Sequence, residues 1–227
     1  MGRAKEIIVK VIPAKIANEF VKLNHYSGKV VSNSQLHFGC FLDGRLHGVM
    51  SYGCPFMKSK VLPLVSGAGW NEMLELNRMA FDEYLPKYSE SRCISISIKL
   101  LKKNAPHIKW ILSFADATQC GDGTIYRASG FKLTKITKNS SIIKLKDGSI
   151  AASMTYTKGK HILKQGGRAG IPEGAEKLEG NMFRYIYLID KTCEITVPIL
   201  PFSEIDKQGA GMYKGEKITL EERKNKD

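Results

Sequence analysis

Asp116 closes an apolar run, Trp110 to Ala115, and Tyr126 follows on a short helix-like stretch that ends at Ser129-Gly130-Phe131. A strand end presents a carboxylate rigidly, so Asp116 can hold an amine or accept its proton, and a tyrosine one helix-length on is how an α/β enzyme often aims a second group into a cleft. Each has a plainer reading. Asp116 also suits an Asx turn, and Tyr126 suits a core aromatic. Arg78 lies inside the apolar run from Met73 to Phe81. Its planar fork would bind a carbonyl, carboxylate or phosphate oxygen if it lines a cleft; otherwise it faces solvent. His25 and Tyr26 follow a helix end. They are candidates for substrate contact, or for ligating a transition metal such as iron, with Asp116 as a further ligand, because imidazole suits iron or zinc. The expectation is that Asp116 and Tyr126 share one pocket with a cationic rim.

The elements that must position these groups follow from periodicity. Glu6 to Ile12 alternates and is rich in β-branched residues, which predicts a first strand. Pro13 suits a first helical turn, Ile16, Phe20 and Leu23 recur at helical spacing, and Gly28 is placed to stop that helix. Gln35 to Leu42 and Leu46 to Gly53 flank Asp43-Gly44, a hairpin signal. Met73 to Phe81 reads as a strand. Arg92 to Asn104 fits both periods; its length and the serines ahead of it favour a capped helix. Lys109 to Ala115 is a buried strand, Gly123 to Ser129 a short helix and Phe131 to Thr137 a strand. Ser149 to Thr157 and Met182 to Ile189 are further strands around a glycine-rich loop. The order predicts one α/β domain over residues 1–227, a mixed sheet with helices on both faces. Residues 138–181 read as a basic, loop-rich region and 214–227 as a flexible tail.

Composition narrows the partner. The chain has 227 residues, 43% hydrophobic, with a net charge of +13. From Lys132 to Arg168 nine cations face one acid, Asp147, with Tyr156 among them. Clustered cations with an aromatic suit phosphate contact and base stacking, so double-stranded DNA is the expected partner, through Lys158, Lys160, His161, Lys164 and Arg168. The five cysteines lack close C-x-x-C spacing, which argues against a disulfide framework or a zinc site. No apolar run reaches the roughly 18 residues that would span a bilayer. The cytoplasm of a bacterial host is the expected location.

The order of elements resembles a GNAT-type acyltransferase, and Tyr126 to Phe131 looks like that family's closing Tyr-x-x-x-Gly-Phe. Four segments resemble, more narrowly, the Mom family of phage DNA-modification proteins: His25-Tyr26-Ser27-Gly28, Glu75-Leu76-Asn77-Arg78, Ser113-Phe114-Ala115-Asp116 and Gly123-Thr124-Ile125-Tyr126. The likeness is good over residues 5 to 137 and looser beyond. It implies transfer of a small acyl-type group, methylcarbamoyl, to the exocyclic amine of adenine in phage DNA, which protects the DNA from host restriction. It implies functional roles for His25, Tyr26, Arg78, Asp116 and Tyr126. One departure stands out. Where a GNAT has a glycine-bearing loop for coenzyme A phosphates, this chain has Ser89-Glu90-Ser91-Arg92-Cys93-Ile94-Ser95. Without glycine the backbone approaches a pyrophosphate less closely. Ser89, Ser91 and Arg92 are the candidate anion contacts, and the donor stays open between acetyl-CoA and another acyl donor. The rival readings are a GNAT acetylating a protein or small-molecule amine with acetyl-CoA, and a DNA-binding module without chemistry.

Overall fold

The computed structural model describes residues 2–118, 121–153, 156, 172–207, 211–213 and 216–218. A turn of 3₁₀ helix, Arg3–Glu6, leads into strand β1 (Ile8–Val11) and helix α1 (Ala14–Asn24). Pro13 caps that helix from outside. The helix ends ahead of His25, and Gly28, at φ 57°, turns the chain behind it. Strands β2 (Ser34–Leu42) and β3 (Arg45–Gly53) join through Asp43 and Gly44, both at positive φ (51° and 74°), as a two-residue hairpin turn requires. Short pieces α2 (Lys58–Val61) and β4 (Val65–Ser66) precede β5 (Met73–Phe81), α3 (Ser89–Asn104), β6 (Trp110–Asp116) and α4 (Thr124–Ala128). Then come β7 (Lys132–Lys144), β8 (Ile150–Ala152), β9 (Glu176–Leu188), β10 (Glu194–Ile195) and α5 (Ser203–Asp206). A small pair, β11 (Gly211–Tyr213) and β12 (Glu216–Ile218), follows.

Eight strands form one mixed sheet in the order β1-β2-β3-β5-β6-β9-β7-β8, with β5 and β6 parallel and the other neighbours antiparallel. Helices cover both faces, as the element order predicts. Against one face α3 buries Cys93, Ile94, Ile98 and Leu101 on Met50, Tyr52, Leu76 and Ile111; we term this the α3 face. On the other, α1 packs Ala17 and Val21 against Val49 and Ala80. Farther along this α1 face, Leu64, Val65 and Cys193 cover Met73, Trp110 and Leu112. Among the described residues no helix is long and apolar enough to cross a membrane.

Several expectations need correction. Arg92 to Asn104 is helical, and the helix begins earlier, at Ser89, because its apolar residues recur every three or four positions. No serine caps it. Tyr88, left-handed at φ 71°, occupies the N-cap, and Ser89 and Ser91 fall inside the first turn. The strand expected at Ser149 to Thr157 is only Ile150–Ala152. The region 138–181 is not loop throughout. Lys138–Lys144 and Glu176–Asn181 pair antiparallel, because Ile142 and Leu178 sit in register. Within the predicted tail, Glu216–Ile218 pairs with Gly211–Tyr213. Lys158, Lys160, His161, Lys164 and Arg168 lie outside the described residues.

Candidate active site

The sheet splits at its centre. β5 and β6 pair only from Met73↔Trp110 to Leu76↔Ser113, and the Ser113 hydroxyl donates to the Leu76 carbonyl at 2.9 Å, stapling the last rung. Beyond it β5 stays with β3 as far as Phe81, while β6 stays with β9 as far as Asp116. The two strands diverge and open a V between them. Among the described residues no strand pairs with the facing edges of β5 and β6 beyond that rung.

A bulge aims two charged side chains at this opening. Across β3 and β5, Ser51 pairs with Arg78 and Tyr52 with Leu76, so Asn77 is an extra residue on β5. Residues three apart on a regular strand point to opposite faces; one bulge residue between them restores the same face. Leu74, Leu76 and Met79 accordingly pack on the α3 face, while Glu75 and Arg78 join Met73 and Ala80 on the α1 face. Arg78 is held by Nε to the Lys29 carbonyl at 2.9 Å and by a second guanidinium nitrogen to the Asn77 carbonyl at 3.0 Å. Burial pushes the Glu75 carboxyl up from 4.5 to about 7, against the opposing pull of the Arg78 charge. At neutral pH this group is poised to take up or release a proton.

His25 completes the cluster. It follows the last turn of α1, with its amide on the Val21 carbonyl. The Ser27 amide donates to its Nδ1 at 3.1 Å, and the Ser27 hydroxyl lies 2.8 Å from the same nitrogen. Accepting the amide hydrogen puts the neutral ring's proton on Nε2. Burial, with the Arg78 charge adding to it, pushes His25 down from 6.5 to about 4, so the ring is neutral at physiological pH. The Tyr26 ring lies 4.2 Å away and is 46% exposed, forming a rim. The Arg78 charge bears on both His25 and Glu75, so the segment after α1 and strand β5 contribute to one electrostatic neighbourhood.

Asp116 and Tyr126 are not brought together. Ala115 packs on the α3 face, so Asp116 points to the α1 face. Its Oδ1 accepts the Thr118 amide at 2.9 Å, the Asx turn that was the plainer reading. Tyr126 is buried on the α3 face, 5.2 Å ring to ring from Tyr185 and 5.4 Å from Phe131. Tyr52 stands in the same layer, its hydroxyl 2.6 Å from the Ser97 hydroxyl, and burial pushes its phenol up. The sheet therefore separates the carboxylate from the phenol, because β6 alternates and α4 packs back on the side of α3.

Ser89, Ser91 and Arg92 turn their donors inward. The hydroxyls reach the carbonyls of Pro86 and Tyr88, and one Arg92 nitrogen reaches the Lys5 carbonyl. A phosphate arriving at α3 would meet first-turn amides, which lack helix carbonyls, rather than these side chains. A metal at His25 would have to be met through Nε2, since Nδ1 accepts from Ser27. Among the described residues no group of three His, Cys, Asp or Glu side chains converges.

Glu75 is the residue that sequence reasoning missed. Its signal was an acid in an apolar strand three positions before an arginine, which strand alternation assigns to opposite faces until the bulge is seen. A parallel strand pair that splits beside a bulged strand is the layout expected of a GNAT-type fold. Similarity to solved acetyltransferases is low in identity and in TM-score. An N-acetyltransferase from Staphylococcus aureus Mu50 is 10% identical with a TM-score of 0.48, covering 81% of this chain and 99% of that chain. A GNAT family acetyltransferase from Elizabethkingia anophelis with acetyl-CoA bound is 14% identical with a TM-score of 0.45, covering 80% and 97%. The model described as the Mom protein family matches residues 6–204. "Methylcarbamoylase mom" of Escherichia phage Mu is 32% identical over 194 residues, 83% of this chain and 78% of that protein. The chain belongs to the Mom protein family.

Proposed function

We propose that this protein transfers a methylcarbamoyl-type acyl group to the exocyclic amine of adenine in double-stranded DNA, and that the modification shields the DNA from restriction. The observation that carries this reading is the Glu75, Arg78 and His25 cluster at the split of the sheet, in a chain of the Mom family. The amine of adenine is a weak nucleophile, since its lone pair is delocalised into the ring. Glu75, poised near neutrality, accepts the proton the amine loses as nitrogen bonds to the donor carbonyl carbon. Arg78 and backbone amides along the V stabilise the oxygen that becomes negative. As the intermediate collapses, the carbon to leaving-group bond breaks, and Tyr126 on the α3 face supplies a proton to the departing atom. The donor and acceptor thus meet through the V from opposite faces, which reconciles a phenol on one side with a base on the other.

The donor in this scheme carries its acyl group through the V from the α3 side. An acyl-CoA would place its phosphates on the first-turn amides of α3, with Ser89, Ser91 and Arg92 shaping that turn. The acyl-CoA supplies an activated carbonyl and a thiolate leaving group. Co-expression with a plasmid, followed by nucleoside mass spectrometry, tests the reading. A heavier deoxyadenosine is expected with the natural sequence and its absence with Glu75→Gln. Only unmodified nucleosides from the natural sequence would overturn it.

A further inference from the structure

The loop after β3 ends in a pair of large apolar side chains held out in solvent. Phe56 is 74% exposed and Met57 54%. The tip is not a loose excursion. Its start is tied where the Asn33 side chain donates to the Cys54 carbonyl. It continues into α2 and is anchored beyond by buried Leu64 and Val65. Lys58 Nζ lies 4.7 Å over the Trp70 ring and 3.1 Å from Asn71 Oδ1, so the tip is clasped to the segment that enters β5. Trp70 is itself 51% exposed.

Its placement gives it a use. β3 leaves the sheet at Gly53, which pairs with Glu75, and Trp70 precedes Met73 on the same strand as Glu75. One foot of the tip, Gly53, therefore stands beside the proposed base, and the other enters the strand that carries it. An adenine stacked in a duplex must leave the helix to reach a half-buried carboxylate, and proteins that open DNA in this way fill the gap with an apolar wedge such as Phe or Met. From Cys54 to Val61 the only charged residues are Lys58 and Lys60. That suits a phosphate beside a wedge. It opposes a second copy of the chain, since a two-fold contact would set these lysines against themselves.

We propose that Phe56 and Met57 enter the duplex beside the target adenine and occupy the space it vacates, with Lys60 on the adjoining backbone. The inference rests on the adenine reading above. In plasmid co-expression, Phe56→Ala and Phe56→Ala/Met57→Ala should lower modified deoxyadenosine about tenfold or more, with melting temperature held, since both side chains are exposed. In duplexes built on the sequence around the modified adenines, the natural protein should raise the fluorescence of a 2-aminopurine placed at the target opposite thymine. Phe56→Ala should lose that rise, yet bind and brighten a duplex whose 2-aminopurine faces an abasic gap, where no wedge is needed. Equal loss on both duplexes, or no loss on either, overturns the wedge. So does a concentration-dependent dimer of the natural protein that Phe56→Glu dissociates. No modified deoxyadenosine from the natural protein overturns the adenine reading, and the wedge with it; modification that Phe56→Ala leaves intact removes the wedge alone.

Discussion

The two faces of the central sheet do different work at the point where β5 and β6 part. On the α3 face, Tyr52, Tyr126, Tyr185 and Phe131 are buried, Tyr126 packs ring to ring on Tyr185 and Phe131 and Tyr52 on Phe38, and the Tyr52 and Tyr185 hydroxyls are bonded to Ser97 and to the Asp122 carbonyl. On the α1 face, Glu75 and His25 have their charge states perturbed by burial, with the Arg78 charge acting on both. One side is built like a core. The other holds ionisable groups away from water, which stability alone does not favour. A sheet that is continuous elsewhere and split here lets a rigid layer hold one reactant while the opposite layer acts on the other.

The contrast can be broken most sharply at Glu75. Glu75→Gln should cut modification by roughly 10²–10⁴-fold, the range for removal of a general base. The natural protein's activity, read from cells or extracts across pH, should rise toward a plateau above about 7. The same substitution should stabilise the fold. An acid whose folded value is raised from 4.5 to about 7 favours the folded state least once pH exceeds both. Stability therefore falls as pH rises through that window, and Gln should recover about 1–2 kcal/mol at pH 8 after solvent screening. Urea melts at pH 5 and pH 8 would show it. A Gln variant that is less stable at pH 8 removes the claim that Glu75 is strained by burial.

Arg78→Lys should cost about 10²-fold in activity, because an ammonium cannot reproduce the fork. Arg78→Ala should also raise His25 from about 4 toward 6.5, only part of the way, since burial is the larger cause. Proton NMR titration of the ring resolves this. His25 is neutral when buried, so its contribution to stability is present above 6.5 and is lost as pH falls through about 4. On the packed face, Tyr52→Phe should cost about 1 kcal/mol, by leaving the Ser97 hydroxyl one partner short, with little change in chemistry. Asp116→Asn should be mildest, about 0–0.5 kcal/mol, because Asn also closes an Asx turn. A large loss of activity in Asp116→Asn with the turn intact would return that residue to the reacting groups.

Much of the scaffold was legible. The Asp43-Gly44 hairpin, the apolar run of β6 and the helical spacing of α1 are local patterns, and local sterics enforce them. The motif residues His25 and Arg78 were legible too, as chemistry in search of a place. Glu75 was not, because its face depends on the pairing of Ser51 and Tyr52 across the strand, and nothing within Met73 to Phe81 announces Asn77 as a bulge. Tyr126 was legible as a phenol near the end of the fold's central unit. That it lies across the sheet from Asp116 was not, since a helix of five residues can pack on either face. The long β7 and β9 ladder was underestimated because its strands carry lysine and glutamate at edges that only pairing makes strand-like.

The amino-acid order by itself determined which segments are strands or helices, the cationic excess, and the presence of an acid, an arginine and an imidazole on separate segments. Only the tertiary structure decided that these three converge, because convergence depends on a one-residue bulge and on the parting of β5 from β6. Both are relations between strands, and side-chain direction and local dielectric follow from them rather than from any single stretch of chain.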